Sequence, residues 1–155
     1  MVLIRAESDK AVIKQIMCDP LLFNASMPDE DIAAFKAGTW EPNDNAIYLN
    51  YDNKAIIRLY PLTNLSVDMH IHLKSEFWGK GISDEMSKHI EQYLIENTQF
   101  CKIVIQTPAC CREVLKAATR DGYSLEGILT ASILWRDKVE NLILMSKFIR
   151  RPNNG

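Results

Sequence analysis

Apolar and polar positions change period several times along the chain, and each change marks an element. Val2 to Ile4 is a short apolar run that reads as a strand. Ser8-Asp9 then offers an N-cap, and Ala11, Val12, Gln15 and Ile16 follow on helical spacing, so a helix is predicted that Pro20 closes. Pro28-Asp29-Glu30 opens a second helix carrying Ile32, Ala33 and Phe35 and ending at Gly38. Ala46 to Asn50 and Lys54 to Tyr60 flank Tyr51-Asp52-Asn53, which predicts two strands joined by a tight turn. After the turn Pro61-Leu62-Thr63-Asn64, Ser66 to Leu73 alternates strictly. Val67, Met69, Ile71 and Leu73 fall on one face, and Asp68, His70 and His72 on the other.

The second half changes period again. Ile82, Met86, Ile90, Tyr93 and Leu94 repeat as an amphipathic helix with Asp84-Glu85 in its first turn, running to about Asn97. Lys102 to Gln106 is a short strand of buried type. Thr107-Pro108 reads as an N-cap with proline at the first helical position, and Cys111, Val114, Leu115 and Ala118 make the apolar stripe of the helix that follows, ended by Gly122. Leu125 to Leu134 and Val139 to Phe148 close the chain as two strands around Arg136-Asp137-Lys138. The order β, α, α, β, β, β, α, β, α, β, β mixes hairpins with helical crossovers. It predicts an α/β (mixed α+β) domain over residues 1–149, one mixed sheet with helices on both faces, and a polar tail over 150–155.

Composition narrows the class. The chain has 155 residues, 47% hydrophobic and 25% charged, which suits one packed domain, and a net charge of −2 supplies no basic field for nucleic acid or anionic lipid. No apolar run nears the roughly 20 residues that span a bilayer. Cys18, Cys101, Cys110 and Cys111 lack C-x-x-C spacing, so reduced thiols and a cytoplasmic location are expected. His70-x-His72 shares a strand face as a metal pair would, but no third ligand is evident, and no metal is expected.

Between the alternating strand and the long helix lies Trp78-Gly79-Lys80-Gly81-Ile82-Ser83. A strand, two glycines and a helix start bring unpaired backbone N–H groups and the positive helix end together, which is a physical anion site; the same spacing also serves as a plain tight connection. Ser75 to Glu85 resembles the acetyl-CoA turn of GNAT acetyltransferases, particularly the ribosomal-protein acetyltransferase branch, which shares tryptophan before Gly-Lys-Gly. Gly122-Tyr123-Ser124-Leu125-Glu126-Gly127 is similar to the turn after that family's final helix. Ile13 to Pro20, Tyr60 to Asn64, Met69-His70-Ile71 and Thr107-Pro108 are also similar to small bacteriophage GNAT-like proteins, some described as head-assembly proteins.

The resemblance implies the GNAT fold and acetyl-CoA as cofactor. Trp78, Gly79, Lys80, Gly81, Ile82 and Ser83 would hold its phosphates, and Leu73 would lie beside the pantetheine arm. It implies a base on the strand before the turn, where Asp68, His70 and His72 stand; His72 is nearest the turn, and an imidazole titrates near neutral pH. These three side chains could equally face solvent or a helix rim. The family's acid, a tyrosine or serine of the last helix, is replaced by Leu115 or Ala118 and by Cys111, and Pro108 stands near its usual asparagine. Cys111 is the remaining proton donor or a buried structural thiol. Two functions follow. One is an acetyl-CoA-dependent N-acyltransferase acting by direct attack of an amine, on a protein N-terminus, a lysine or a small amine. The other is a phage-type head-assembly or adaptor protein, working on a phage structural protein in the host cytoplasm, that kept the fold without turnover. The acceptor would dock on Pro20 to Asn45, where Phe23, Phe35 and Trp40 either line a groove or pack as core.

Overall fold

The structure is a computed structural model that describes residues 3–152. Its elements run β1 (Ile4–Ala6), α1 (Lys10–Met17), α2 (Pro20–Ser26), α3 (Asp29–Lys36), β2 (Ile47–Tyr51), β3 (Ala55–Pro61), β4 (Ser66–Leu73), a 3-10 turn (Ser75–Phe77), α4 (Ile82–Asn97), β5 (Lys102–Pro108), α5 (Arg112–Arg120), β6 (Ser124–Trp135) and β7 (Lys138–Phe148). Of the expected first strand, Val2 lies outside the described residues, as do residues 153–155 of the tail.

The strands form one seven-stranded mixed sheet in the order β1-β2-β3-β4-β5-β7-β6. Every neighbouring pair is antiparallel except β4 and β5, which α4 joins as a crossover. The β2–β3 hairpin turns through the three residues Asp52, Asn53 and Lys54, with Asp52 and Asn53 in the left-handed region and Lys54 N donating to Tyr51 O at 2.8 Å.

Strand alternation decides what covers each face. Val67 and Met69 of β4 join Ile57 and Leu59 of β3, Ile103 of β5 and Met145 of β7 in a core closed by Met86, Ile90 and Leu94 of α4 and Ala118 of α5. Burying each large apolar side chain contributes about 1.5–3 kcal/mol. The opposite face packs Ile56 and Tyr48 under Ile13, Ile16 and Met17 of α1, Phe23 of α2, and Trp40. Phe23 is fully buried, with Phe35 stacked on it at 4.4 Å and Trp40 edge-on at 5.0 Å. These aromatics are core.

Two expectations are corrected. Pro20 does not merely close a helix: Asp19 accepts from Leu21 N and Leu22 N, and Pro20 takes the first position of α2, where its missing N–H costs nothing. Thr107-Pro108 does not open a helix either. Both residues stay in β5, paired with Ile143 and Leu142, and α5 begins at Arg112 with Cys111 as its N-cap, so Cys111 precedes the apolar stripe.

The tip of the β6–β7 hairpin is clasped to the start of α3. Asp29 accepts from Arg136 N and Asp137 N, each at 2.8 Å, and the Arg136 guanidinium donates to Asp29, to Met27 O and to Asn24 O. These donors hold the Asp29 carboxyl below its usual pKa, the two backbone amides first. Asp29→Ala should therefore speed hydrogen exchange at the Arg136 and Asp137 amides by about tenfold or more, since each loses a charged acceptor. Unchanged protection would show that Asp29 does not hold the tip.

Candidate active site

β4 and β5 pair over only three positions, Ser66 with Lys102, Val67 with Ile103 and Asp68 with Val104. Beyond them β4 stays with β3 as far as Leu73, and β5 stays with β7 as far as Pro108. The sheet forks. A cleft of about 310 Å³ opens between Met69–His72 on one prong and Ile105–Pro108 on the other. Because side chains alternate across a strand, the cleft reaches both faces of the sheet. Ser83, Asp84 and Ser87 of α4 and Ala117 of α5 bound it on one side, and Ala25 and Ser26 of α2 bound it on the other, with Trp135 at the hairpin tip also on its wall.

The glycine turn leads from β4 to the start of α4, beside this cleft. Gly79 and Gly81 both sit at φ +70°, the left-handed conformation that favours glycine, and a Cβ at either position would meet nothing within 4 Å. Gly81 is the N-cap of α4 and gives the first-turn amides no side-chain acceptor, whereas Asp9 and Asp19 do so for α1 and α2. Those N–H groups therefore face open space at the positive helix end. The turn is anchored before the glycines. The Trp78 indole donates to Leu73 O at 2.8 Å, and Ser75 donates through N and Oγ to the Asp19 carboxylate that caps α2. The Ser75 hydroxyl is the main reason that the Asp19 carboxyl lies below its usual pKa.

The polar face of β4 packs against the end of α2: Asp68 and His72 are buried, and His70 is partly exposed. His72 is 2% exposed and lines the cleft. Its Nδ1 lies 3.3 Å from Ser26 Oγ, and its Nε2 is buried with no hydrogen-bond partner among the described residues. Burial first, then the charges of Arg58 and His70, hold the imidazole well below its ordinary pKa, so His72 is neutral at pH 7. Asp68, 5% exposed, lies one layer deeper: Oδ2 accepts from His70 Nε2 at 3.0 Å and from Gln106 Nε2 at 3.2 Å across the fork. That bond turns His70 Nε2 toward Asp68, and the ring also lines the cleft.

Cys111 is half-buried on the cleft wall, with its thiol pushed up to about 11 by burial and by Cys110. It stays protonated at neutral pH. Tyr123 shares the wall, and burial raises its phenol as well. All four cysteines are free thiols, and among the described residues no group of three His, Cys, Asp or Glu side chains could hold a metal ion. No helix among them is long and apolar enough to cross a membrane.

Of the residues singled out from sequence, His70, His72, Cys111 and Ser83 meet at the cleft, with Asp68 behind His70. Gly79, Lys80 and Gly81 form the turn beside it, and Ile82 packs against the core. Leu73 is not on the cleft wall, and its carbonyl is engaged by Trp78. Ser26, Gln106 and Trp135 were not anticipated. Ser26 belongs to α2, a helix the sequence pattern did not predict because Pro20 reads as the end of the helix before it, while Gln106 and Trp135 come into place only through strand pairing.

No protein-family model matches the sequence, and no curated protein matches it. Solved structures do match. A ribosomal-protein-alanine N-acetyltransferase from Brucella melitensis aligns with TM-score 0.65 at 13% identity, over 94% of this chain and 99% of the other. Spermidine N-acetyltransferase from Vibrio cholerae, in complex with CoA and spermine, gives 0.68 at 11% over 94% of each chain. A ribosomal alpha-N-protein acetyltransferase in complex with coenzyme A gives 0.67 at 12%, over 96% of this chain and 95% of that one. The forked seven-stranded sheet is the GNAT acetyltransferase fold.

Proposed function

We propose that the chain is an acetyl-CoA-dependent N-acyltransferase that acetylates an amine by direct attack. One observation carries this reading: the fork between β4 and β5 opens beside a helix start whose amides are uncapped and whose two glycines face open space. The residues present fit the cofactor. The α4 amides from Ile82 onward suit a pyrophosphate, with Lys80 as the adjacent cation, and the cleft between the prongs suits a slender acyl-bearing arm. Asp84, in that first turn, also lines the cleft.

When bound, acetyl-CoA supplies an acyl thioester, and the chain's own groups handle protons. His72, neutral and with Nε2 unpaired, can accept the proton that the attacking amine loses. His70 is the second imidazole on the same wall, held by Asp68, whose carboxylate also accepts from Gln106. Cys111, protonated at neutral pH, can return a proton to the departing thiolate. The acceptor enters on the α2 side, between Ala25, Ser26 and Trp135, and we expect a protein, peptide or small amine there. The missing tyrosine and serine of the last helix favour the second reading, a phage head-assembly or adaptor protein that keeps the groove without turnover.

Thiol release from acetyl-CoA separates the two. The enzyme reading predicts saturable release that depends on an added amine from a panel of polyamines, lysine peptides and free N-terminal peptides. Binding of acetyl-CoA with no release from any of them would favour the assembly protein.

A further inference from the structure

His72 has two ring nitrogens, and only one of them can take a proton from substrate. Which one is decided on α2. Ser26 Oγ lies 2.8 Å from Leu22 O, a carbonyl that can only accept, so the single hydroxyl proton of Ser26 is committed to that bond. The same oxygen is 3.3 Å from His72 Nδ1 and has only lone pairs left to offer it. Nδ1 must then carry the ring proton. Since the ring is neutral, Nε2 is the bare nitrogen; it is buried with no partner among the described residues, on a residue that lines the cleft.

We infer that Ser26 is a positioning residue: its hydroxyl, locked to Leu22 O, fixes His72 as the Nδ1–H tautomer and so presents the Nε2 lone pair to the acceptor's N–H. The chain Leu22 O, Ser26 Oγ, His72 Nδ1 ties the last turn of α2 to the second-last residue of β4. Asp19 fixes the other end of the same helix to Ser75, just beyond β4. α2 is thus held at both ends against the strand that carries the imidazole. The catalytic use of Nε2 rests on the acyltransferase reading; the tautomer does not.

The tautomer is read directly from a two-bond proton–nitrogen correlation spectrum of the full chain at neutral pH, with His72 assigned by its absence in His72→Gln. The expected result is a neutral ring protonated at Nδ1 in the wild type and in Ser26→Thr, which keeps the hydroxyl. Ser26→Ala should shift the ring wholly or partly to Nε2–H. Its turnover should fall within the roughly 10²–10⁴-fold span of a positioned base, with acetyl-CoA affinity unchanged and with recovery in Ser26→Thr. An Nε2–H ring in the wild type, or an unaltered tautomer in folded Ser26→Ala, would overturn the inference. Failure of the wild type to bind acetyl-CoA would remove the acyltransferase reading instead and leave the tautomer assignment to be judged on the spectrum alone.

Discussion

His72→Ala is expected to lower turnover by about 10²–10⁴-fold while acetyl-CoA still binds, the range for loss of a positioned general base. The variant removes the unpaired Nε2 but leaves the α4 start and both glycines untouched. His72 is also fully packed, so a folded His72→Gln, which fills more of the space without an imidazole, should show the same rate loss. Turnover within a few-fold of wild type in both variants would remove His72 from the mechanism and direct attention to His70.

The wild-type pH profile follows from the same burial. The His72 imidazole lies well below 6.5, held down by desolvation first and then by Arg58 on β3 and His70 on β4. The base therefore stays neutral through pH 6.5, and the acid limb of the rate is expected below that value. Stability shifts with it. Below pH 6.5 the unfolded chain binds a proton at this histidine that the native ring refuses, so the unfolded state holds more protons and stability falls as pH falls. His72→Gln should flatten that slope.

Gly81→Val is expected to weaken acetyl-CoA binding by about ten- to a hundredfold, or roughly 1.4–2.8 kcal/mol. A valine Cβ would find no neighbour within 4 Å, so the fold has room for it. Its branches would occupy the open space at the helix start, where an approaching phosphate needs bare backbone. The left-handed φ adds strain of order 1–3 kcal/mol, which lowers stability whatever binds there. Gly38→Val is the matching control, because Gly38 has nearly the same φ, +71°, and an equally open Cβ position, yet lies beyond α3. Both variants should lose similar stability, and only Gly81→Val should lose affinity. Equal affinity in the two would remove the phosphate role from this turn.

Much of the frame was legible because local chemistry and final burial agree. Strict alternation from Ser66 to Leu73 placed β4 and its two faces, and the apolar spacing from Ile82 to Leu94 placed α4. Alternation could not say that Asp68 and His72 of the polar face would be buried. That follows from α2, hidden by reading Pro20 as a stop when Asp19-Pro20 is equally a cap and a first helical position. Missing α2 also hid Ser26, since a serine outside any expected element carries no signal of its own. Cys111 was misplaced because Thr107-Pro108 has the residue types of a helix start, while pairing with β7 keeps both residues extended. Pairing across β4, β5 and β7 is long-range, and so is the fork that makes the cleft.

Calorimetric titration of the purified full chain with acetyl-CoA tests most directly whether this fork and turn form a cofactor site. Saturable one-to-one binding by the wild type and by Gly38→Val, weakened about ten- to a hundredfold in folded Gly81→Val, is the predicted result. A folded wild-type chain that takes up no acetyl-CoA, or a Gly81→Val variant that binds it as tightly as wild type, would contradict it.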